Sequence, residues 1–257
     1  MRTLLGLMLV LAAVPAAAQD DPFGSPMWEV LRGEYFGTAP VVFDGRVAVT
    51  APASAENVFA VPVAVDARAL EGVREIVLLA DLNPFPLVLR YRPDAAAPFV
   101  ATRFKVQQAT AVRGAALTAD GVWHVGGVMV DAAGGGCAAP AQSYAEKDWA
   151  EHVGEVQARA WPPGPAGTAR VRLRIRHPQD TGLVAGIPAY FIEELTLTGD
   201  DGRVLGRLQT GEPVAENPVF TLELRPGAAR SMRVRGRDNQ AGEIDATIPL
   251  PRVGREG

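Results

Sequence analysis

The sequence predicts an all-β protein built as antiparallel β-sandwich units, one in each half of the chain, joined by a partly helical linker. Three observations predict it. Short runs in which apolar and polar residues alternate recur along the chain, as a half-buried strand requires. Turn chemistry rather than long helices separates them, as in "NPFP", "PDAAAP" and "ADG". A charged, proline-broken stretch near the middle divides the runs into segments of about 110 and 85 residues, each within the size range of a sandwich.

The first segment, residues 27–140, opens with a short helix candidate, "SPMWEVLRGEYFG" at 25–37. Strands follow at 58–67 ("VFAVPVAVDA"), 74–83 ("REIVLLADLN"), 86–93 ("PLVLRYRP"), 99–108 ("FVATRFKVQQ") and 121–132 ("GVWHVGGVMVDA"). The linker, 141–169, begins as "SYAEKDWAEHVGEV", with Tyr144, Trp149, Val153 and Val156 at helical spacing, and ends in the breaker "WPPGPAGTA". The second segment, 170–251, opens with "RVRLRIRHP", where Val171, Leu173 and Ile175 alternate with arginines to give a strand with a cationic outer face. "YFIEELTLTGDDGRVLGRLQTG" reads as a hairpin turning at "GDDG". The runs "VFTLELRPG", "RSMRVRGRD" and "EIDATIPL" complete the set.

Arg2, the apolar run "LLGLMLVLAAVPAAA" and an A-x-A site at Ala16 and Ala18 read as a secretory leader over 1–18, which places the mature chain in the periplasm. Gln19, not cysteine, follows the expected cut, so a lipid anchor is not expected, and no later stretch is long and apolar enough to suggest a membrane span. A net charge of −4 argues against a nucleic-acid binder. Of 25 basic residues only Lys105 and Lys147 are lysines. Cys137 is the one cysteine, so it is a free thiol, an intermolecular partner or a covalent attachment point.

The segment 58–137 resembles SoxY, the carrier subunit of bacterial sulfur oxidation, through "VPVAVDA", "REIVLLADLNPFP", "VATRFKV" and the glycine-rich cysteine motif. The segment 170–250 resembles its partner SoxZ through "RIRHPQDTGL", "IPAYFIEELTL", "NPVFTLEL" and "RGRDNQAGE". Together they resemble a fused SoxYZ-like carrier of the kind associated with quinoprotein (PQQ) dehydrogenases. The resemblance implies two immunoglobulin-like sandwiches and a non-enzymatic role, in which Cys137 covalently carries a sulfur intermediate, thiosulfate-derived in the family, between periplasmic sulfur-oxidation enzymes or c-type cytochromes. The arm is then Gly134, Gly135 and Gly136, with Ala138 and Ala139 following. Family arms have glycines on both sides of the cysteine and end the chain; here Ala138, Ala139 and Pro140 follow it and the chain continues.

Read on its residues, the arm suits delivery, because glycine gives reach and a slim approach to another protein's site. Neither a histidine nor a lysine adjoins Cys137, so activation of the thiol is expected from a partner. Arg170, Arg172, Arg174, Arg176 and His177 form a candidate docking patch for an acidic partner or an anionic sulfur substrate. His124, His152 and His177 lack metal-ligand spacing, so neither a metal nor a cofactor is expected. The pairs Asp200–Asp201 and Glu193–Glu194 read as turn and surface groups. The alternative function is an accessory or binding module for a quinoprotein dehydrogenase, in which the thiol is dispensable.

Overall fold

The computed structural model describes residues 20–251 except 165 and 166, so the expected leader at 1–18 lies outside the described residues. One helix, α1 (Trp28–Phe36), precedes the strands of the first segment. These are β1 (Val41–Phe43), β2 (Ala48–Thr50), β3 (Val61–Asp66), β4 (Glu75–Ala80), β5 (Leu87–Arg92), β6 (Ala96–Phe104), β7 (Thr110–Leu117) and β8 (Trp123–Val130). Two single-turn 3-10 helices, Gln142–Ala145 and Trp149–His152, lead into β9 (Val156–Ala160). The remaining strands are β10 (Ala169–Ile175), β11 (Ile192–Gly199), β12 (Val204–Thr210), β13 (Val219–Leu224), β14 (Ser231–Asp238) and β15 (Glu243–Pro249). Among the described residues no helix is long and apolar enough to cross a membrane.

The predicted all-β sandwich class is what the chain adopts, and its two halves meet edge to edge. One sheet runs β1-β8-β7-β4-β5-β12-β11-β14-β15 and the other β2-β3-β6-β13-β10-β9. The first crosses from one half to the other through antiparallel pairing of β5 with β12, where Leu208 faces Tyr91. The second crosses through β6 and β13, where Thr221 faces Ala101. All strand pairs are antiparallel except β1 with β8. One apolar core fills the space between the sheets, from Val63 and Ile76 in the first half to Val234 and Ile248 in the second.

Strand β10 shows how the register is held. Ala169, Val171, Leu173 and Ile175 are fully buried while Arg170, Arg172 and Arg174 point outward. A slip of one residue would reverse every side chain. It would expose the apolar residues, at about 1.5–3 kcal/mol each for the larger ones, and bury three guanidinium groups.

Strand β7 escapes prediction because it lacks alternation and, unlike the continuous apolar run of β4, is broken by Arg113 and Gly114, although it is buried on both faces. Helix α1 covers the outer face of the sheet here, with Trp28, Phe36 and Trp123 packed over Val77, Leu79 and Ala115. Arg113, in the middle of β7, is fully buried, and salt-bridges Asp81 and Asp21 at 2.8 and 2.7 Å beneath the Trp28 ring. The linker is less helical than its spacing suggests. Val156 belongs to β9, an edge strand whose Ala158 faces Leu173 of β10.

Candidate functional site

The chain leaves β8 and reaches Cys137 through three glycines, and the structure gives each a reason, a positive φ at Gly134 and Gly135 and close packing at Gly134 and Gly136. Gly134 and Gly135 hold φ values of +98° and +88°, where residues with a Cβ are strained. At Gly136 a Cβ would lie 2.2 Å from the Val58 carbonyl oxygen and 2.5 Å from that of Val106. The glycines thus let the segment lie down on the chain after β6. Gly135 N donates to Gln107 O at 3.1 Å and Gly136 N to Val106 O at 3.0 Å.

Cys137 is 1% exposed, which corrects the expectation of a thiol held out on a free arm. Its N–H donates to Gln107 Oε1 at 3.1 Å, and its Sγ lies 3.8 Å from the carbonyl oxygen of Lys105. From the second half, Thr181 Oγ1 donates to the Cys137 carbonyl at 2.6 Å. Ala138, directly after it, is exposed. Burial pushes the thiol up to about 11, against a smaller opposing pull from the Lys105 ammonium. At pH 7 roughly one molecule in 10⁴ would then carry the nucleophilic thiolate.

Residues 138–145 form a strap beyond the cysteine, clasped by two carboxylates of the second half. Asp180 accepts from Ala141 N at 3.1 Å and from the Tyr144 hydroxyl. Glu216 accepts from Gln142 N and Ser143 N, both at 2.7 Å. Gln179 and Asn217, each beside one of these carboxylates in sequence, hold φ values of +54° and +47°, a costly conformation without glycine.

Lys105 is the second buried ionisable group here. Its Nζ donates to the Gln179 carbonyl, and burial lowers its pKa although Asp180, Cys137 and Glu216 all favour the charge. Gln107 is the hub: besides its bonds to the arm, its N–H donates to Asn83 Oδ1 at 2.9 Å, while Asn83 Nδ2 donates to Lys105 O at 2.8 Å.

The expected docking patch divides. Arg170 pairs with Glu223 at 2.8 Å and Arg176 with Glu146. Among the described residues, the side chains of Arg172 and Arg174 have no carboxylate or hydrogen-bond partner and remain exposed. His177 is 2% exposed and cannot meet a partner, a correction to its place in the patch. Its Nδ1 accepts from Gln179 N at 3.2 Å, its Nε2 is 3.5 Å from Asp238 Oδ2, and Tyr190 packs edge-on at 4.6 Å. Burial drops its pKa to about 4, so the ring is neutral at pH 7. The other histidines go to separate carboxylates, His124 to Asp44 and His152 to Glu155. Glu193 and Glu194 flank Arg237, and Asp201 holds Arg203 in the hairpin turn.

A pocket of about 260 Å³ opens beside the strap, with Arg103, Lys105, Arg174 and Glu216 among its walls. A separate groove on the nine-stranded sheet has arginines too, but Arg90, Arg92, Arg207 and Arg237 are each paired to a carboxylate. Sequence reading missed Lys105, Gln107, Asp180, Thr181 and Glu216. One signal was present: Lys105 is a lysine in a chain whose basic residues are almost all arginine.

Residues 32–137 match the family described as "Sulfur oxidation protein SoxY", and residues 164–249 match "Sulphur oxidation protein SoxZ". No curated protein matches the chain. One similar solved structure is the sulfur carrier protein SoxY from Chlorobium limicola f thiosulfatophilum. It is 20% identical, covering 41% of this chain and 96% of its own, with a TM-score of 0.37.

Proposed function

We propose that this chain, a SoxY-like segment followed by a SoxZ-like segment in one polypeptide, is a periplasmic sulfur carrier. It holds a sulfur-containing group covalently on Cys137 and presents it to partner enzymes of sulfur oxidation. The single observation that carries the reading is the position of the only cysteine. It lies at the seam between the segments, held by Gln107 from one side and Thr181 from the other.

In this reading the closed seam stores an inert thiol. A buried, protonated sulfur is a poor nucleophile, which protects a lone cysteine in an oxidising compartment. Loading requires a partner to displace the strap and admit water or its own base to the thiol. Attachment of a thiosulfate-type dianion through its outer sulfur makes one S–S bond and releases one proton and two electrons. The electrons need an acceptor on the partner, of the c-type cytochrome class. The carrier itself contributes the sulfur atom, the tether and the docking faces.

The test is mass spectrometry of the protein purified from cells growing on reduced sulfur, with Cys137→Ala grown in parallel. Sulfur adducts on Cys137 and a growth defect in the variant are expected. An unmodified thiol with normally growing variant cells would remove the reading.

The burial of Cys137 favours a second reading, an accessory module for a periplasmic quinoprotein dehydrogenase in which the thiol is dispensable. It predicts a silent Cys137→Ala and loss of complex formation on charge reversal at Arg172 and Arg174.

A further inference from the structure

We propose that Arg103 and Arg174, with Lys105 alongside, form a binding pocket for the oxyanion end of the cargo, a tetrahedral sulfur oxyanion of the thiosulfate or sulfonate type. The inference rests on the carrier reading and adds to it a non-covalent site, apart from Cys137, for the oxyanion end of that cargo.

Three observations converge. Arg103 follows β13's neighbour Ala101 by two residues in β6 and Arg174 lies in β10, so they share the outer face of the sheet, one strand apart across β13. Both line the 260 Å³ pocket whose remaining wall includes Ala139, Pro140 and Ala141, which begin two residues after Cys137. Lys105 joins pocket and thiol, because its carbonyl lies 3.8 Å from Sγ.

Among the described residues, the two guanidinium groups there lack carboxylate partners. Arg103 Nε is buried without a hydrogen-bond partner, and among the described residues neither Arg103 nor Arg174 meets a carboxylate. A buried, unpaired guanidinium donor costs free energy that an anion would recover. Glu216 also lines the pocket, but its two oxygens are taken by Gln142 N and Ser143 N. Two guanidinium groups without a carboxylate partner thus share the pocket lining with one carboxylate, Glu216. Guanidinium forks match the oxygen faces of a tetrahedral oxyanion. The volume is several times the ~30 Å³ share of one water, enough for such a group.

The experiment titrates the full chain with sodium thiosulfate, then sodium sulfate, at constant ionic strength set with chloride. Binding is read by calorimetry and by the ¹⁵N-detected Arg103 Nε–H resonance. Saturable binding is expected in the wild type and in Cys137→Ser, since the site is non-covalent. Arg174→Gln, an exposed position that should leave folding intact, is expected to weaken binding on the order of tenfold. Arg235→Gln on the other sheet should leave it unchanged. Absence of saturable binding, or equal weakening by Arg235→Gln, overturns the pocket. Adducts on Cys137 without anion affinity overturn the pocket and leave the carrier reading standing. Anion affinity without adducts upholds the pocket as an oxyanion site and removes covalent carriage.

Discussion

The hydroxyl of Thr181 donates to the main-chain carbonyl of Cys137 at 2.6 Å, a bond between residues 44 apart in sequence. It ties the residue proposed to carry cargo to the SoxZ-like segment, so the reactivity of the thiol depends on both segments being folded together.

Native Cys137 should therefore resist alkylation. With burial raising its pKa from 9.0 to about 11, iodoacetamide at pH 8 should react about a hundredfold more slowly than with the denatured chain. The native rate should climb about tenfold per pH unit through pH 10. Equal rates for folded and denatured protein at pH 8 would contradict the buried seam.

Two neighbouring glycines should respond differently to alanine. Gly136→Ala places a Cβ 2.2 and 2.5 Å from two main-chain oxygens, which cannot yield as side chains can. A loss of about 1–3 kcal/mol and faster alkylation of Cys137 are expected. At Gly135 the Cβ would meet open space, so only its φ of +88° is penalised, with the thiol still covered. Thermal melts and alkylation rates of the two variants check this; identical thiol protection in both would refute it.

Glu216→Ala should loosen the strap without unfolding the sandwich. It removes the acceptor of two main-chain N–H groups at 2.7 Å, in a segment outside the sheets. Alkylation of Cys137 should accelerate on the order of tenfold, equivalent to about 1.4 kcal/mol of strap closure, while the melting temperature moves little. Hydrogen exchange at Gln142 and Ser143 reports the same opening; unchanged protection there would show that the clasp is not what holds the strap.

His177 should make folding acid-sensitive. Its pKa is about 4 in the folded chain and near 6.5 unfolded, with Asp238, Tyr190, Gln179 and Lys105 as the groups around it. Between those values the unfolded state binds more protons, so stability is complete above about pH 6.5 and falls as pH drops toward 4. The loss from this residue reaches about 3 kcal/mol. Denaturation of wild type and His177→Gln across that window should show a shallower fall in the variant, and parallel curves would refute the assignment.

Much of the strand set was legible. The alternation in β10, the hairpin of β11 and β12, and the apolar runs of β3 to β5 each carry their burial in the order of their residues. Strand β7 is covered on both faces like β4, but Arg113 and Gly114 interrupt its apolar run where β4 is continuous, and Arg113 looks like a surface residue until Asp21 and Asp81 close on it. Val156 was placed by helical spacing, yet its neighbour across the sheet is Ile175, a pairing no local pattern contains.

The sequence by itself determined the all-β class, the order of the two segments, and which residue holds the one thiol, because alternation, turn chemistry and composition are local properties. Tertiary structure alone decided that this thiol is covered and that its glycines serve close packing as well as conformational freedom. It also decided that two of the four alternating arginines have side chains without partners among the described residues. Those outcomes depend on Gln107, Thr181, Glu216 and Glu223 arriving from distant strands and loops. Burial and charge pairing arise from such long-range contacts, and neither is written into the neighbours along the chain.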